Sequence, residues 1–384
     1  MNNRERALAI LNYQPYDRLP IVHFGYWTET LEKWAAEGHI TKAQAAGWHD
    51  GNAIDRAVSG RLGFDFGWGG AFGPRLRLQP GLRSRVVTRF PDDSRHVLNA
   101  DGAIVLEKPD IVSIPSEIGH LLKGRAEWER IFRPRLRYDD RRLAGAKVHT
   151  DRRTLRFDQG GREYLLAETP TFPRGLSCGS LFGVIRNWLG LVGLSYLTAD
   201  DPALLDEMIE TVGELCYQGV AAALASGIKF DYGHFWEDIC FKNGPLVNPR
   251  LFARLVGPHY RRITALLNEH GIGIVSLDCD GMIDKLLPTW LENGVNTMFP
   301  IEVGTWHASI APWRAQHGRE LRGVGGMDKK VFAYDYAAID AEIERLRPLV
   351  DLGGYIPCPD HRIPPDAKWE NVQYYCERMR IIFG

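Results

Sequence analysis

The second half of the chain alternates short apolar runs with amphipathic helices, and this limits its fold more than any other feature. From residue 163 onward the runs EYLLAETP, KFDYGHF, IGIVSLDCDG, VNTMFPIEV, LRGVGGMDK and GYIPCPDH read as strands. The segments between them read as helices with clear boundary signals. Asp201-Pro202 opens a helix that ends at Gly227, and Asn248-Pro249 opens one that runs to Gly271. Strands alternating with helices pair in parallel, because each crossover helix brings the chain back to the same end of the sheet. Repetition of the unit favours a closed TIM (β/α)8 barrel over an open doubly wound sheet. An open nucleotide-binding sheet would carry a GxGxxG turn after its first strand, and neither that turn nor a phosphate-binding lysine loop occurs.

The first half is less regular. Residues 3–12 form a short helix pattern, LPIVHFGYW reads as the first strand, and residues 28–46 read as helical. The glycine- and aromatic-rich segment 60–75 has no periodicity and reads as an ordered loop near the site. Residues 76–108 hold three β-type runs, RSRVVTRF, SRHVLN and AIVLEKP, with Asp101-Gly102 as the turn between the last two. This reads as an antiparallel β meander inserted into the barrel. Residues 116–145 return to a charged helical pattern with a solvated face. A (β/α)8 unit takes ~250 residues and tolerates insertions. One α/β domain over residues 1–384, with an insertion at about 76–108, therefore accounts for the chain.

Composition excludes several classes. The net charge of −1 gives the whole molecule no pull towards nucleic acid or an anionic membrane. No apolar run is long enough to span a bilayer, and the N-terminal segment lacks a signal-peptide layout. Six cysteines are scattered without a CxxC pair, as expected for reduced thiols in a cytoplasmic protein. Eleven tryptophans include Trp27, Trp48, Trp68, Trp188 and Trp236 near glycines. They serve either as core or as the wall of a pocket for a flat substrate.

Barrel chemistry sits at the carboxyl ends of the strands. The polar residues just past the proposed strands form a ring: His23, Tyr26 and Trp27; Glu168 and Thr169; His234, Glu237 and Asp238; Asp278, Cys279 and Asp280; Glu302; Asp328; Cys358, Asp360 and His361. A carboxylate at a loop start often only caps the next helix, and Asp284 and Asp335 are expected to do so. Two clusters stand out. In Asp278-Cys279-Asp280-Gly281 the carboxylates are two residues apart and point the same way in an extended chain. Close carboxylates share a proton or bind a cation. In CPDHRIPPD the prolines stiffen a loop that presents His361, a general acid/base or metal ligand. Asp278, Asp280 and His361 would make a divalent-metal shell, with Cys358 or Cys279 as a possible further member.

Four segments together resemble the uroporphyrinogen decarboxylase and corrinoid methyltransferase superfamily. They are NNRERALAILNYQPYDRLPI, HFWEDICFKNGPLVNPRLF, VSLDCDGMIDKLLPTWLENGVNTMFPIEV and GGYIPCPDHRIPPDAKWENVQYYCERM. The resemblance covers nearly the whole chain and implies a TIM barrel. Two departures follow from it. True uroporphyrinogen decarboxylases carry an Arg-Gln-Ala-Gly-Arg segment after the first strand, whereas this chain reads FGYWTETLEKW. The zinc methyltransferases carry His-x-Cys-Gly where this chain has Asp278 in place of the histidine and Asp280 in place of the thiolate. Their third ligand falls near Cys358 or His361.

The resemblance thus implies an enzyme of methyltransferase type. It would demethylate a small O- or N-methylated substrate, such as a methoxy-aromatic, and pass the methyl group to a corrinoid on a partner protein. The candidate catalytic residues are His234, Glu237, Asp238, Asp278, Asp280, Glu302 and His361. His23, Tyr26, Trp27, Trp68, Trp236 and Asp328 are the candidate substrate contacts, and zinc is the candidate metal. A decarboxylase or lyase holding its substrate through Arg174, Arg186 or Arg322 is the second reading. A non-catalytic binding barrel is the third.

Overall fold

A computed structural model describes residues 1–108 and 111–384. Two short strands, β1 (Val22–His23) and β2 (Phe66–Gly67), pair in parallel, with Val22 opposite Phe66. Next comes an antiparallel sheet of β3 (Arg85–Arg89), β4 (Arg95–Leu98), β5 (Ala103–Lys108) and β6 (Ile111–His120), in that order. A hairpin follows, β7 (Lys147–His149) with β8 (Thr154–Arg156). The main sheet contains β9 (Gly175–Gly179) and β10 (Tyr232–Trp236). A small hairpin of β11 (Cys240–Phe241) and β12 (Gly244–Pro245) follows β10. The sheet then adds β13 (Val275–Asp278), β14 (Thr297–Phe299), β15 (Arg322–Met327) and β16 (Tyr355–Pro359).

These six strands are all parallel, in the order β9-β10-β13-β14-β15-β16. The fold is therefore α/β with a parallel sheet. Isolated parallel bridges join Phe72, just past β2, to Leu176 of β9, and Tyr26, just past β1, to Ile363 beyond β16. The β1–β2 pair thus touches both edges of the six-stranded sheet.

The sheet strands are short and apolar because both faces are covered. On one side lie amphipathic helices such as Pro202–Ala225, which starts where the Asp201 side chain accepts from the Leu204 amide at 3.0 Å. Its stripe Leu204, Leu205, Met208, Val212 and Leu215 is buried at the three- and four-residue spacing that puts residues on one helix face. Each such side chain stabilises the fold by ~1.5–3 kcal/mol on burial.

The structure corrects several boundaries. EYLLAE is not a strand but the helix Arg162–Ala167, and the strand comes later, at Gly175–Gly179. Arg174 holds that helix end through Glu168 at 2.6 Å, just before β9 begins, so Glu168 and Thr169 lie at the wrong end of the sheet for the rim. Segment 60–75 hides β2 and the end of helix Ala53–Leu62, closed by Gly63 at φ 101°. Residues 116–120 belong to a strand, and the helical pattern after them breaks into single turns such as Arg125–Glu127 and Arg141–Ala144. The turn from β4 to β5 is wider than Asp101-Gly102 alone, since the Asn99 side chain accepts from the amides of Asp101 and Ala103, both at 3.0 Å. The predicted helix 28–46 is split, because a Thr41–Gln44 capping box starts a new helix at Lys42.

The glycines of LRGVGG have a packing reason. A Cβ on Gly325 would stand 1.6 Å from the Pro300 carbonyl oxygen, and Gly325 itself sits at φ 131°. Gly325→Ala should therefore cost about 3 kcal/mol or more of stability, read as a drop in the denaturation midpoint. A midpoint equal to that of the wild type would show that β15 tolerates the extra carbon.

Candidate functional site

The carboxyl end of β13 carries the centre of the site. Asp278 ends the strand, and Gly281 turns the chain at φ 82° two residues after Cys279. The Gly281 amide donates to Glu302 Oε2 at 2.6 Å, and the Thr305 hydroxyl donates to Glu302 Oε1 at 2.9 Å. Glu302, just past β14, is thereby drawn to the loop that carries Asp280. The loop after β16 is fixed by Asp360, which is fully buried and accepts from the Gly304 amide at 2.7 Å and Lys329 Nζ at 2.9 Å. That anchor sets its neighbour His361 with Nε2 at 3.2 Å from Asp280 Oδ2. The imidazole stacks on Trp27, centroids 5.2 Å apart, and meets the edge of Phe24 at 5.3 Å. Asp238, past β10, sits at φ 46°, held by Arg186 Nη2 at 2.6 Å from its carbonyl oxygen and 2.7 Å from its carboxylate.

Burial and mutual repulsion decide how these acids titrate. Burial pushes Asp278 well above the usual carboxylate range, and the charges of Asp280 and Asp238 push it further. Burial also raises Asp238 against the pull of Arg186, and raises Glu302 with help from Asp280. The loops thus gather Asp238, Asp278, Asp280, Glu302 and His361 into one field, where a carboxyl group can keep a proton that water would remove. Such a site can give a proton to a leaving atom or take one from an attacking group.

The expected metal shell is not assembled. Among the described residues no three His, Cys, Asp or Glu are placed to hold one ion. Cys358 is buried, and its thiol is raised far above its ordinary range by burial, with the Asp360 charge adding. Cys279 is likewise buried and raised, by burial first and then by its contact with Cys240.

The family model described as Uroporphyrinogen decarboxylase (URO-D) matches residues 190–381, half of the chain. The chain belongs to that family. The match contains β10, β13, β14, β15 and β16, and so Asp238, Asp278, Asp280, Glu302 and His361 of this URO-D family member. Among solved structures it is similar to a methyltransferase from Methanosarcina mazei, with a TM-score of 0.59 and 14% identity over 100% of this chain and 99% of that one. That likeness bears on the fold. A vitamin-B12 independent methionine synthase from Listeria monocytogenes, so described, reaches a TM-score of only 0.36 at 15% identity, over 63% of this chain and 73% of that one. No curated protein matches.

Other expected site residues of this URO-D family member stand elsewhere. Glu237 is fully buried and caps a helix instead of joining the acid cluster; it accepts from Ser180 Oγ at 3.0 Å and from the amides of Leu181, Phe182 and Gly183 at 2.8, 2.9 and 2.6 Å, and Tyr260 donates to it as well. Asp328 caps the turn Lys329–Ala333 through the Lys330 amide at 3.0 Å. His23 and Tyr26 pack towards helix Ala53–Leu62. Tyr26 hydrogen-bonds Ser59 at 2.9 Å, His23 Nε2 lies 4.0 Å from Asp55, and burial lowers the His23 pKa. Trp68 is core, stacked on Tyr232 at 4.4 Å and donating to Ser276 Oγ at 3.2 Å. His234 is buried, its pKa pushed down to about 4, and the rings of Phe299 and Phe24 lie between it and His361. Trp236 is half-buried with the Arg77 guanidinium 5.9 Å from its ring. Asp335 caps a helix as expected, but Asp284 instead accepts from Trp313 Nε1.

The raised Asp278 has a consequence for stability. Folded Asp278 releases its proton at a higher pH than the unfolded chain does, so above about pH 4 the unfolded state binds fewer protons. Stability is therefore lost as pH rises from the unfolded value towards the folded one. Asp278→Asn should melt at a higher temperature than the wild type at pH 7, and the gain should vanish near pH 4. Equal melting temperatures at both pH values would mean that Asp278 is not held protonated.

Proposed function

We propose that this chain is an enzyme that removes a methyl group from a small O- or N-methylated molecule and passes it to a corrinoid carried by a partner protein. The observation that carries this reading is the His361–Asp280 contact set under the Trp27 and Phe24 rings, with raised carboxyl groups around it. When the methyl–oxygen bond breaks, the oxygen leaves with the electron pair and needs a proton. His361 or Asp278 supplies that proton, while the aromatic walls hold a flat ring and exclude water. The corrinoid would supply the nucleophile. URO-D membership and the methyltransferase-like fold support an enzyme of this kind. We read β1, β2 and the six-stranded sheet together as a (β/α)8 barrel whose mouth holds the site, a reading the two bridging contacts support.

The decarboxylase reading has less support. Arg174 is paired with Glu168 before β9, Arg322 Nε donates to the Leu11 carbonyl at the start of β15, and Arg186 is engaged by Asp238. A binding barrel without catalysis gives no reason to crowd buried carboxyl groups at a cost in stability.

Mixing the protein with a reduced corrinoid protein and a panel of methoxy-aromatics and methylamines tests the proposal. The corrinoid absorbance should change only when both enzyme and donor are present. His361→Gln or Asp278→Asn, whichever removes the proton donor, should slow that change by about 100-fold or more, the usual contribution of a general acid. An unchanged corrinoid with every donor, or carbon dioxide release from an acid substrate, would sink it.

A further inference from the structure

A cavity of about 440 Å³ opens beside the acid cluster, and Trp27 belongs to both: it stacks on His361 and also lines the cavity. Trp48 forms another part of the wall. Three separate parts of the chain bring basic groups to it. The loop before helix Ala53–Leu62 supplies His49, the β7–β8 hairpin supplies Lys147 and His149, and the loop after β16 supplies Arg362. Lys147 and His149 are two apart in an extended strand, which turns both to one face.

The charge of this cavity is opposite to that of the acid cluster. Asp50 is its one lining carboxylate among the described residues, and Arg362 already holds it at 2.7 and 3.1 Å. The Lys147 charge is therefore not neutralised within the cavity. His149 Nδ1 meets the Thr154 hydroxyl at 2.8 Å, which leaves Nε2 for another partner. Burial lowers the His149 pKa, and the charges of Lys147, Arg56 and His49 lower it further, as a positive field requires. The Arg362 guanidinium lies 5.4 Å from the Trp48 ring centroid and 5.6 Å from that of Phe24, so it spans the cavity and the acid cluster.

We infer that this cavity holds an oxyanion, a carboxylate or a phosphate, carried by a flat ring set against Trp27 and Trp48, with Lys147 and His149 as the partners of the anion. The inference names the substrate class of the demethylation proposed above and rests on that reading for its link to chemistry, although binding can be measured apart from it. An anchored oxyanion at Lys147 would place the far side of the same ring towards His361, because Trp27 is shared by both. This fixes orientation, which in a wide aromatic slot apolar contact alone leaves free.

Calorimetry of the full chain with benzoate, phenyl phosphate and neutral benzamide tests it. At least one anion should bind about tenfold or more tightly than benzamide, and the stronger of the two names the oxyanion. Lys147→Met should remove that preference, Lys147→Arg should keep it, and the exposed position of Lys147 should leave both melting temperatures unchanged. No anion binding, equal binding of the anions and benzamide, or a preference that survives Lys147→Met would overturn the site. Lys147-dependent binding without methyl transfer to any corrinoid would leave the site standing and defeat the proposed function instead. Methyl transfer from neutral donors, with no anion preference, would do the reverse.

Discussion

The buried carboxylate of Glu237 is the contact on which the rest of the site depends. It is fully enclosed, yet it receives the first amides of the helix after β9, the Ser180 hydroxyl and the Tyr260 hydroxyl. Burial raises the Glu237 pKa, while these hydroxyl and amide donors at the helix N-terminus pull it back, so the carboxyl group is satisfied by hydrogen bonds where it lies. This clamp joins β9, β10 and helix Gly257–Glu269, and the next residue along the chain is Asp238. The close fit is visible at Gly183, where a Cβ would stand 1.8 Å from the Glu237 carbonyl oxygen. With Glu237 fixed, Asp238 takes its left-handed turn and meets Arg186 from the clamped helix. The position of Asp238 is thus built on a neighbouring acid whose own hydrogen bonds all go to the protein.

A second buried carboxylate, Asp360, works in the same way on the other side of the mouth. It ties the Gly304 amide and Lys329 together and leaves the adjacent His361 facing Asp280. In both places one acid is spent on fixing the backbone and its neighbour is presented to the mouth. Each pair lies just past the end of its strand, with Asp238 in the left-handed region, so the chain does both jobs within two positions as it leaves the sheet.

That division of roles between neighbouring residues also bears on how far the sequence could be read. The strands and helices after residue 200 were legible because they have clear periodicity and clear caps, as at Asp201-Pro202 and Asn248-Pro249. Polar residues past the strands were legible as candidates, and of these the structure gathers Asp238, Asp278, Asp280, Glu302 and His361. Their individual jobs were not, because Glu237 and Asp238 look alike in sequence and differ only in which way they face. EYLLAE misled because a short apolar run suits a strand and a one-sided helix equally, and here only Leu165 is buried. β2 went unseen because a strand of two residues, Phe66–Gly67, carries no period. Lys147, His149 and His49 lie outside the strand–helix alternation altogether. The β7 strand, which was not anticipated from the sequence, is what brings Lys147 and His149 together.

The opposed charges of the two neighbouring regions carry the functional argument further. A cluster of carboxyl groups repels any anionic ligand, so alone it would favour a neutral or cationic one. The basic cavity reverses that preference a short way off, with Arg362 and Asp50 both felt by Asp278. A molecule with an anion at one end would be drawn to the cavity and turned so that its neutral end lies among the acids. Burial raises Asp238, Asp278 and Glu302, which favours their neutral, proton-donating form beside that end. The arrangement thereby selects a polarity along the ligand, and the residue that sets the distance between its two ends is Trp27.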